Sequence, residues 1–359
     1  MKRALAVSLI FALLASSFAF LPAFASNLDY WTGKTPTPDA IGIGTAPANA
    51  AVLQGKIYTV AQGDMLEIYD PATDSWTKGT QMPIKAVDIT TAACQNKIYV
   101  FSAITEVYDP ATGEWQTAAS MPSPWVPIGL QANVVDGKIY LIGGLQQLVA
   151  YAYRFFSWNW MYDPANDSWS ERASIPLGVS GYASCVVDGK IYVIGGFYNY
   201  TRGYASYTDR VQIYDPETDG WSEGAPLPNA MAWLAACATV GVQVPKRIFV
   251  VGGIVQEDSG KSTVDWTQIY DLQAGWSRGS AMPAVRTGLV LVNVDDVFYA
   301  LGGEDANDNP VTANWAYTPD FALSSLSPAA LVAAGVIVSV AIVFGVVAYF
   351  LRRKKRCPA

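Results

Sequence analysis

The sequence predicts an all-β fold assembled from a repeated four-stranded unit, and three observations carry that expectation. The first is a nine-residue word, "DGKIYVIGG" at Asp188 to Gly196, which returns as "DGKIYLIGG" at 136 to 144 and more faintly as "QGKIYTVAQ", "QNKIYVFSA", "KRIFVVGG" and "DVFYALGG". The second is a partner word behind the copies: "IYDPATDSW" ending at Trp76, "VYDPATGEW" at Trp115, "MYDPANDSW" at Trp169, "IYDPETDGW" at Trp221 and "IYDLQAGW" at Trp276. The third is length, because 359 residues exceed what one ordinary core needs.

Each part of these words has a physical role. "KIYVI" is β-branched and aromatic, as a strand buried between neighbouring sheets should be. Gly-Gly lets the chain leave that strand in conformations other residues resist. Asp-Pro-x-Thr makes a turn in which Asp accepts backbone bonds and Pro presets φ. Tyr and Trp then bury large rings between adjacent sheets, so none of the repeated Asp, Tyr or Trp is a catalytic candidate.

The tyrosines Tyr69, Tyr108, Tyr162, Tyr214 and Tyr270 stand 39 to 56 residues apart, the period of a propeller blade. A Gly-Gly pair after an apolar strand, then Tyr-Asp-Pro, then Trp after a short turn resembles the kelch repeat, over essentially the whole segment between two apolar ends. Six blades are expected. The last Gly-Gly, Gly302 and Gly303, precedes "NWAYTPD" with Tyr317 but no following Trp. "YWTGKTPTP", with Trp31 and Pro38, matches "SWTKGTQMP" of the first full repeat, so Trp31 is expected to supply the outer strand of the last blade. The expectation is a six-bladed kelch β-propeller over 26–320, closed by an N-terminal strand.

The two ends are set apart from this fold. Lys2 and Arg3 precede the apolar run Ala4 to Phe20, and Ala23 and Ala25 give a small-residue cleavage pattern, so 1–25 reads as a secretory signal. After a short linker at 321–328, Ala329 to Leu351 is an uncharged run, about 35 Å as a helix against roughly 30 Å of hydrocarbon. "RRKKR" at Arg352 to Arg356 follows at once, which predicts a transmembrane helix at 329–351 with a basic cytoplasmic tail at 352–359. A glycolipid-anchor signal would end without a basic cluster. The expected localisation is the cell membrane, single-pass, with the N-terminal domain outside. Within 329–351, Gly335, Ser339, Ala341 and Gly345 make small-xxx-small pairs, a hint of helix association.

Between the ends lie all 30 acidic residues and only 16 basic ones, a net charge of −14 that excludes nucleic acid as a partner. Three of the four cysteines, Cys94, Cys185 and Cys237, sit in small-residue strands ahead of a repeat word, and are expected as buried thiols rather than a disulfide framework. Asn166 and Asn199 stand in glycosylation sequons.

Loop lengths point to a site. From the second position of the Gly-Gly site to the tyrosine there are 6 and 4 residues in blades one and two, but 17, 17, 16 and 13 in blades three to six. Blade three carries "LQQLVAYAYRFFSWNW" and blade four "FYNYTRGYASYTDR". Part of each must be strand, so Trp158 and Trp160 fit in the sheet, but Tyr198, Tyr200, Tyr204 and Tyr207 are more rings than a polar loop needs. Kelch repeats commonly carry Arg three residues after the Pro of Met-Pro. Here only Arg286 does, the counterparts being Trp125, Val179, Met231, Ala86 and Ile41, with Trp233 nearby. Trp125, Trp233 and the tyrosines are therefore expected either to line a binding mouth with Arg286 or to pack the channel wall. The 11 residues from Thr318 to Pro328 span at most about 40 Å, and place the long-loop face away from the membrane.

Chemistry is narrowed by an absence. The chain has no histidine, which removes Ser-His-Asp and Cys-His catalysis, His-ligated zinc and the copper ligands of galactose-oxidase relatives of the fold. No cofactor is expected. "DANDN" places Asp305, Asn307 and Asn309 like the start of a calcium loop, but Pro310 stands where an EF-hand requires Gly and Ala316 where it requires Glu. Glu304, Asp305 and Asp308 with Arg286 are the ingredients of a carboxylate site. The expected function is a cell-surface recognition or adhesion module for a protein or carbohydrate ligand. The alternative is a carbohydrate-active enzyme, mutarotase- or glycosidase-like, using carboxylates and Tyr at the mouth.

Overall fold

A short apolar strand that is buried on both faces is the unit from which the architecture is built. Four of the five residues of Lys190–Ile194 are buried, and the same holds for Lys138–Ile142. Such a strand needs a sheet on either side. The computed structural model, which describes residues 29–41, 49–123, 127–149, 152–201, 204–241, 245–257 and 260–319, supplies them.

Six four-stranded antiparallel sheets follow one another. The first is Ala50–Leu53, Lys56–Ala61, Met65–Asp70 and Ser75–Lys78; the second is Thr90–Cys94, Lys97–Phe101, Thr105–Asp109 and Glu114–Ala118. The third is Gln131–Val135, Lys138–Ile142, Asn159–Asp163 and Ser168–Glu171; the fourth is Ala183–Val187, Lys190–Ile194, Val211–Asp215 and Gly220–Glu223. The fifth is Ala235–Ala238, Arg247–Val251, Thr267–Asp271 and Gly275–Arg278. The sixth takes Val290–Val294, Val297–Leu301 and Asn314–Thr318 from the end of the repeat region and Tyr30–Gly33 from its start. Each innermost strand packs on those of its two neighbours, and the first packs on the sixth, so the sheets form a closed propeller-like ring. Trp31 is paired with Tyr317, as its sequence match with Trp76 predicts.

The repeated tryptophan is the joint between sheets. Each indole N–H donates to the carbonyl of a residue just past the outer strand of the preceding sheet: Trp76 to Thr35, Trp115 to Thr80, Trp169 to Ala119, Trp221 to Ala173, Trp276 to Ala225 and Trp31 to Ser280, at 2.8 to 3.1 Å. The ring of each Trp lies about 5 Å from the tyrosine of its own repeat. The second aspartate of the turn ties the same joint. Asp74, Asp167 and Asp219 accept from the hydroxyls of Tyr69, Tyr162 and Tyr214 and from the backbone N–H of Thr35, Ala119 and Ala173. In the sixth sheet Asp29 takes this role from the far end of the chain, accepting from Tyr317 and from Ser280 N.

The Gly-Gly pair is explained by one close approach. A Cβ on Gly195 would lie 2.7 Å from the Met231 carbonyl, and the N–H of Gly196 donates to that oxygen at 2.8 Å. The same bond joins Gly144 to Val179, Gly253 to Arg286 and Gly303 to Ile41. The glycines thus seat the connection that leaves their own sheet for the next one.

Among the described residues there is no helix, and none long and apolar enough to cross a membrane. The expected segments at 1–25, 321–328, 329–351 and 352–359 lie outside the described residues. Cys94 and Cys185 are buried, Cys237 is half-buried, and all three are free.

Candidate functional site

Consecutive antiparallel strands put alternate connections on opposite faces of the ring. One face carries the first-to-second and third-to-fourth turns, short except for 239–246 in the fifth sheet. The other carries the second-to-third loops and the connections between sheets, and on it the sheets differ.

The segments expected as long loops are themselves β-structure. Leu145–Val149 pairs with Ala152–Phe155 above the third sheet, and Phe197–Thr201 with Tyr204–Tyr207 above the fourth. Above the fifth, Ile254–Glu257 pairs with Gly260–Thr263 and with Met231–Ala232 from the preceding connection. The corresponding segment of the sixth sheet, 302–313, carries only isolated bridges, from Glu304 to Thr287 and Pro310.

These hairpins share an apolar layer of their own. Leu145, Phe197 and Ala232 are buried, with Ile128, Tyr153, Phe155, Ala205, Tyr207 and Trp233 packed around them. Phe155 meets Phe197 edge-on at 5.4 Å, Trp233 lies 5.1 Å from Phe197, and Tyr153 meets Tyr200 at 4.7 Å. Such ring pairs each contribute about 1 kcal/mol beyond their burial. The Lys261 ammonium sits 4.5 Å over the Tyr207 ring. Burial, and then the neighbouring Tyr200, pushes the Tyr207 hydroxyl up to about 12, while burial holds Lys261 below its usual value.

The expected site residues therefore separate. Tyr200 and Tyr207 belong to the layer that joins the hairpins. Tyr204 lies in a strand opposite Thr201. Tyr198 is 39% exposed at a bulge between Phe197 and Asn199. Trp125 lies outside the described residues. Trp158 stacks on Phe156 at 3.8 Å, and Trp160 is in the third sheet.

Trp233 is part-buried at the inner rim with φ of 58°, a left-handed conformation that disfavours a bulky side chain. Gly181 and Gly288, each five residues after the corresponding proline like Trp233, share that conformation. Backbone bonds link the three, Trp233 N to Gly181 O and Gly288 N to Trp233 O.

Of the positions three residues after Met-Pro or its counterpart, Ile41, Val179 and Met231 are at most 1% exposed and pack the wall. Arg286 is 8% exposed, with its guanidinium 4.8 Å over the Trp315 ring and a bond to its own neighbour's carbonyl, Val285 O. Burial lowers its pKa, which the carboxylate of Asp305 partly offsets. Arg286 is thus turned into the wall rather than presented to the mouth.

Asp305 spends its carboxylate within its loop, accepting from Asn307 N, Asn309 N and the Asn309 side chain. These bonds hold it below the usual carboxylate range. Among the described residues no group of three acidic or sulfur side chains is arranged to hold a metal ion.

Residues that the sequence did not single out complete the face. Leu148 on a hairpin is 55% exposed, and Ile84 and Val87, in the connection between the first two sheets, are 43% and 75% exposed. With Tyr198 they form an apolar set on this face. The signal for the hairpins in sequence is the alternation of "YAYRF" and "YNYT", which is that of a strand rather than a loop.

Comparison with known proteins agrees with this geometry. The Attractin/LZTR1 beta-propeller family model matches residues 102–323, more than half of the chain. Kelch-like protein 35 of Mus musculus is 26% identical over 265 residues, covering 70% of this chain and 41% of its own length. Kelch repeat and BTB domain-containing protein 12 of Homo sapiens is 32% identical over 126 residues, 33% of this chain and 20% of its own. The chain thus spans about two fifths or less of these curated relatives. The solved structure of YjhT superposes with a TM-score of 0.67 at 20% identity, covering 78% of this chain and 95% of that one, a likeness of fold.

Proposed function

The chain belongs to the attractin/LZTR1 β-propeller family of kelch-repeat proteins, and we propose that it is a six-bladed, membrane-anchored recognition module that binds a protein through its hairpin face. The single observation that carries this reading is the asymmetry between faces. On the turn face the sheets repeat the same hydrogen-bonded joint, whereas on the other face three sheets add hairpins with a private apolar layer and exposed Leu148 and Tyr198. A rigid ring with a varied, partly apolar loop surface has the form of a binding scaffold.

Six blades follow from reading each four-stranded sheet as one blade. Export and anchoring rest on the sequence of 1–25 and 329–356. A protein ligand is favoured over a sugar because the hairpin tyrosines Tyr200 and Tyr207 are engaged with each other's layer, leaving an open apolar surface rather than a cleft lined by free rings.

The test is chemical cross-linking at the surface of cells expressing the tagged chain, beside a glycan array. The reading expects a protein partner with the wild type that is lost in a Leu148→Asp, Tyr198→Asp variant of unchanged melting temperature. Glycan binding that depends on Tyr198, with no such partner, would contradict it.

A further inference from the structure

Two residues before each repeat tyrosine, the third strands of the six sheets carry Glu67, Glu106, Trp160, Gln212, Gln268 and Trp315 in turn. Gln212 shows what the position can do, whereas Gln268 donates instead to the Met231 sulfur. The Gln212 Oε1 accepts from Leu177 N at 2.8 Å and its Nε2 donates to Leu177 O at 3.0 Å, a two-bond clamp on the connection arriving from the third sheet. In the first sheet the counterpart of Leu177 is Asp39, since each follows a proline, Pro176 and Pro38. Asp39 lies on the segment that runs from the closing strand Tyr30–Gly33 back to the first sheet.

Glu67 therefore stands where the fourth sheet has an amide. It is fully buried, and neither carboxyl oxygen has a partner at hydrogen-bonding geometry. A clamp of this kind needs one acceptor and one donor. A carboxylate only accepts, whereas a protonated carboxyl offers both. An ionised Glu67 would also be a buried charge beside the Asp39 carboxylate, a cost that the Asp39 backbone N–H and Lys78 only partly offset.

The charged groups that act on it are Asp39, from the connection, and Lys78, its cross-strand neighbour on Ser75–Lys78; on the other side Thr59 is opposite. Asp39 in turn accepts from the Gln62 side chain at 2.6 Å. We infer that Glu67 and Asp39 form a proton-binding site, in which Glu67 keeps its proton in the folded protein and bonds to Asp39, latching the segment that closes the ring.

Burial is the largest influence and Asp39 the next, and together they push Glu67 up to about 7 against 4.5 ordinarily. The sign follows. A carboxyl with a raised folded pKa contributes stability that is full below its unfolded value and is lost as the pH rises through about 7. Glu106, 2% exposed with both oxygens also unpartnered and raised by burial alone, occupies the same position in the second sheet, but Ile84 stands there in place of Asp39.

The experiment is the thermal midpoint of the full chain between pH 5 and 8, with hydrogen exchange at Asp39 to Ile41 corrected for its intrinsic pH dependence. The wild type should lose roughly 3–6 °C over this range, with faster exchange at Asp39 to Ile41 above pH 7. Glu67→Gln, which supplies donor and acceptor at every pH, should flatten that fall and keep those amides protected at pH 8. Asp39→Asn should move the fall to lower pH. A Glu67→Gln chain with the wild-type pH profile, or an Asp39→Asn chain with an unmoved one, would overturn the proton site.

Discussion

The two faces of the ring are built by opposite rules. On the turn face the six tryptophans all donate to the preceding sheet, and five of the six sheets add the same cross-strand ion pair: Lys56–Asp70, Lys97–Asp109, Lys138–Asp163, Lys190–Asp215 and Arg247–Asp271. The sixth sheet lacks both ionic partners, having Val297 and Thr318 there. On the hairpin face no two sheets carry the same connection. Residues that recur hold the ring together, and residues that depart from the repeat are the ones free to recognise something.

The sharpest way to break this comparison is to remove a joint. Trp169→Ala deletes an indole that packs on Tyr162 and Phe101 and donates to Ala119 O, and should cost about 3–5 kcal/mol, read by chemical denaturation. Next comes Gly195→Ala, whose Cβ would face the Met231 carbonyl at 2.7 Å on a left-handed backbone, an expected loss of about 2–3 kcal/mol by the same measurement. Tyr214→Phe, which removes the hydroxyl from Asp219, should cost about 1–2 kcal/mol.

Acid gives a milder test. Asp219 is held below the usual carboxylate range, first by Tyr214 and then by the Ala173 N–H, and Asp74 likewise by Tyr69 and the Thr35 N–H. Depressed carboxyls contribute stability above their unfolded pKa that is lost as pH falls through the folded value. The melting temperature should therefore drop below about pH 4, opposite in direction to the Glu67 effect. Smallest of all, Tyr198→Ala should leave stability within about 0.5 kcal/mol of wild type while weakening partner binding.

Much of the ring was legible in the sequence because its signals are local. "KIYVI", Gly-Gly and "YDPATDSW" each state a strand, a close approach and a turn within a few residues, and the likeness of "YWTGKTPTP" to "SWTKGTQMP" predicts the closing strand. The role of Asp29 was not legible, since it replaces the second turn aspartate from 288 residues away in sequence. The site was less visible for a similar reason. A bulge between Phe197 and Asn199 sends Tyr200 into the hairpin layer and leaves Tyr198 outside, a choice that side-chain alternation does not encode. Arg286, for which the sequence left mouth and channel wall both open, lies over Trp315, a contact that only the folded ring creates.

The measurement that bears most directly on the division of labour is a paired scan of the two faces, reading partner binding at about 25 °C beside the melting temperature of each variant. One set is Leu148→Asp, Tyr198→Asp and Val87→Asp on the hairpin face; the other is Lys138→Met, Val240→Asp and Leu272→Asp on the turn face. The hairpin set should abolish binding at an unchanged melting temperature, and the turn set should retain binding, with Lys138→Met lowering the melting temperature. Binding lost through the turn set at unchanged melting temperature, with the hairpin set still binding, would contradict the account.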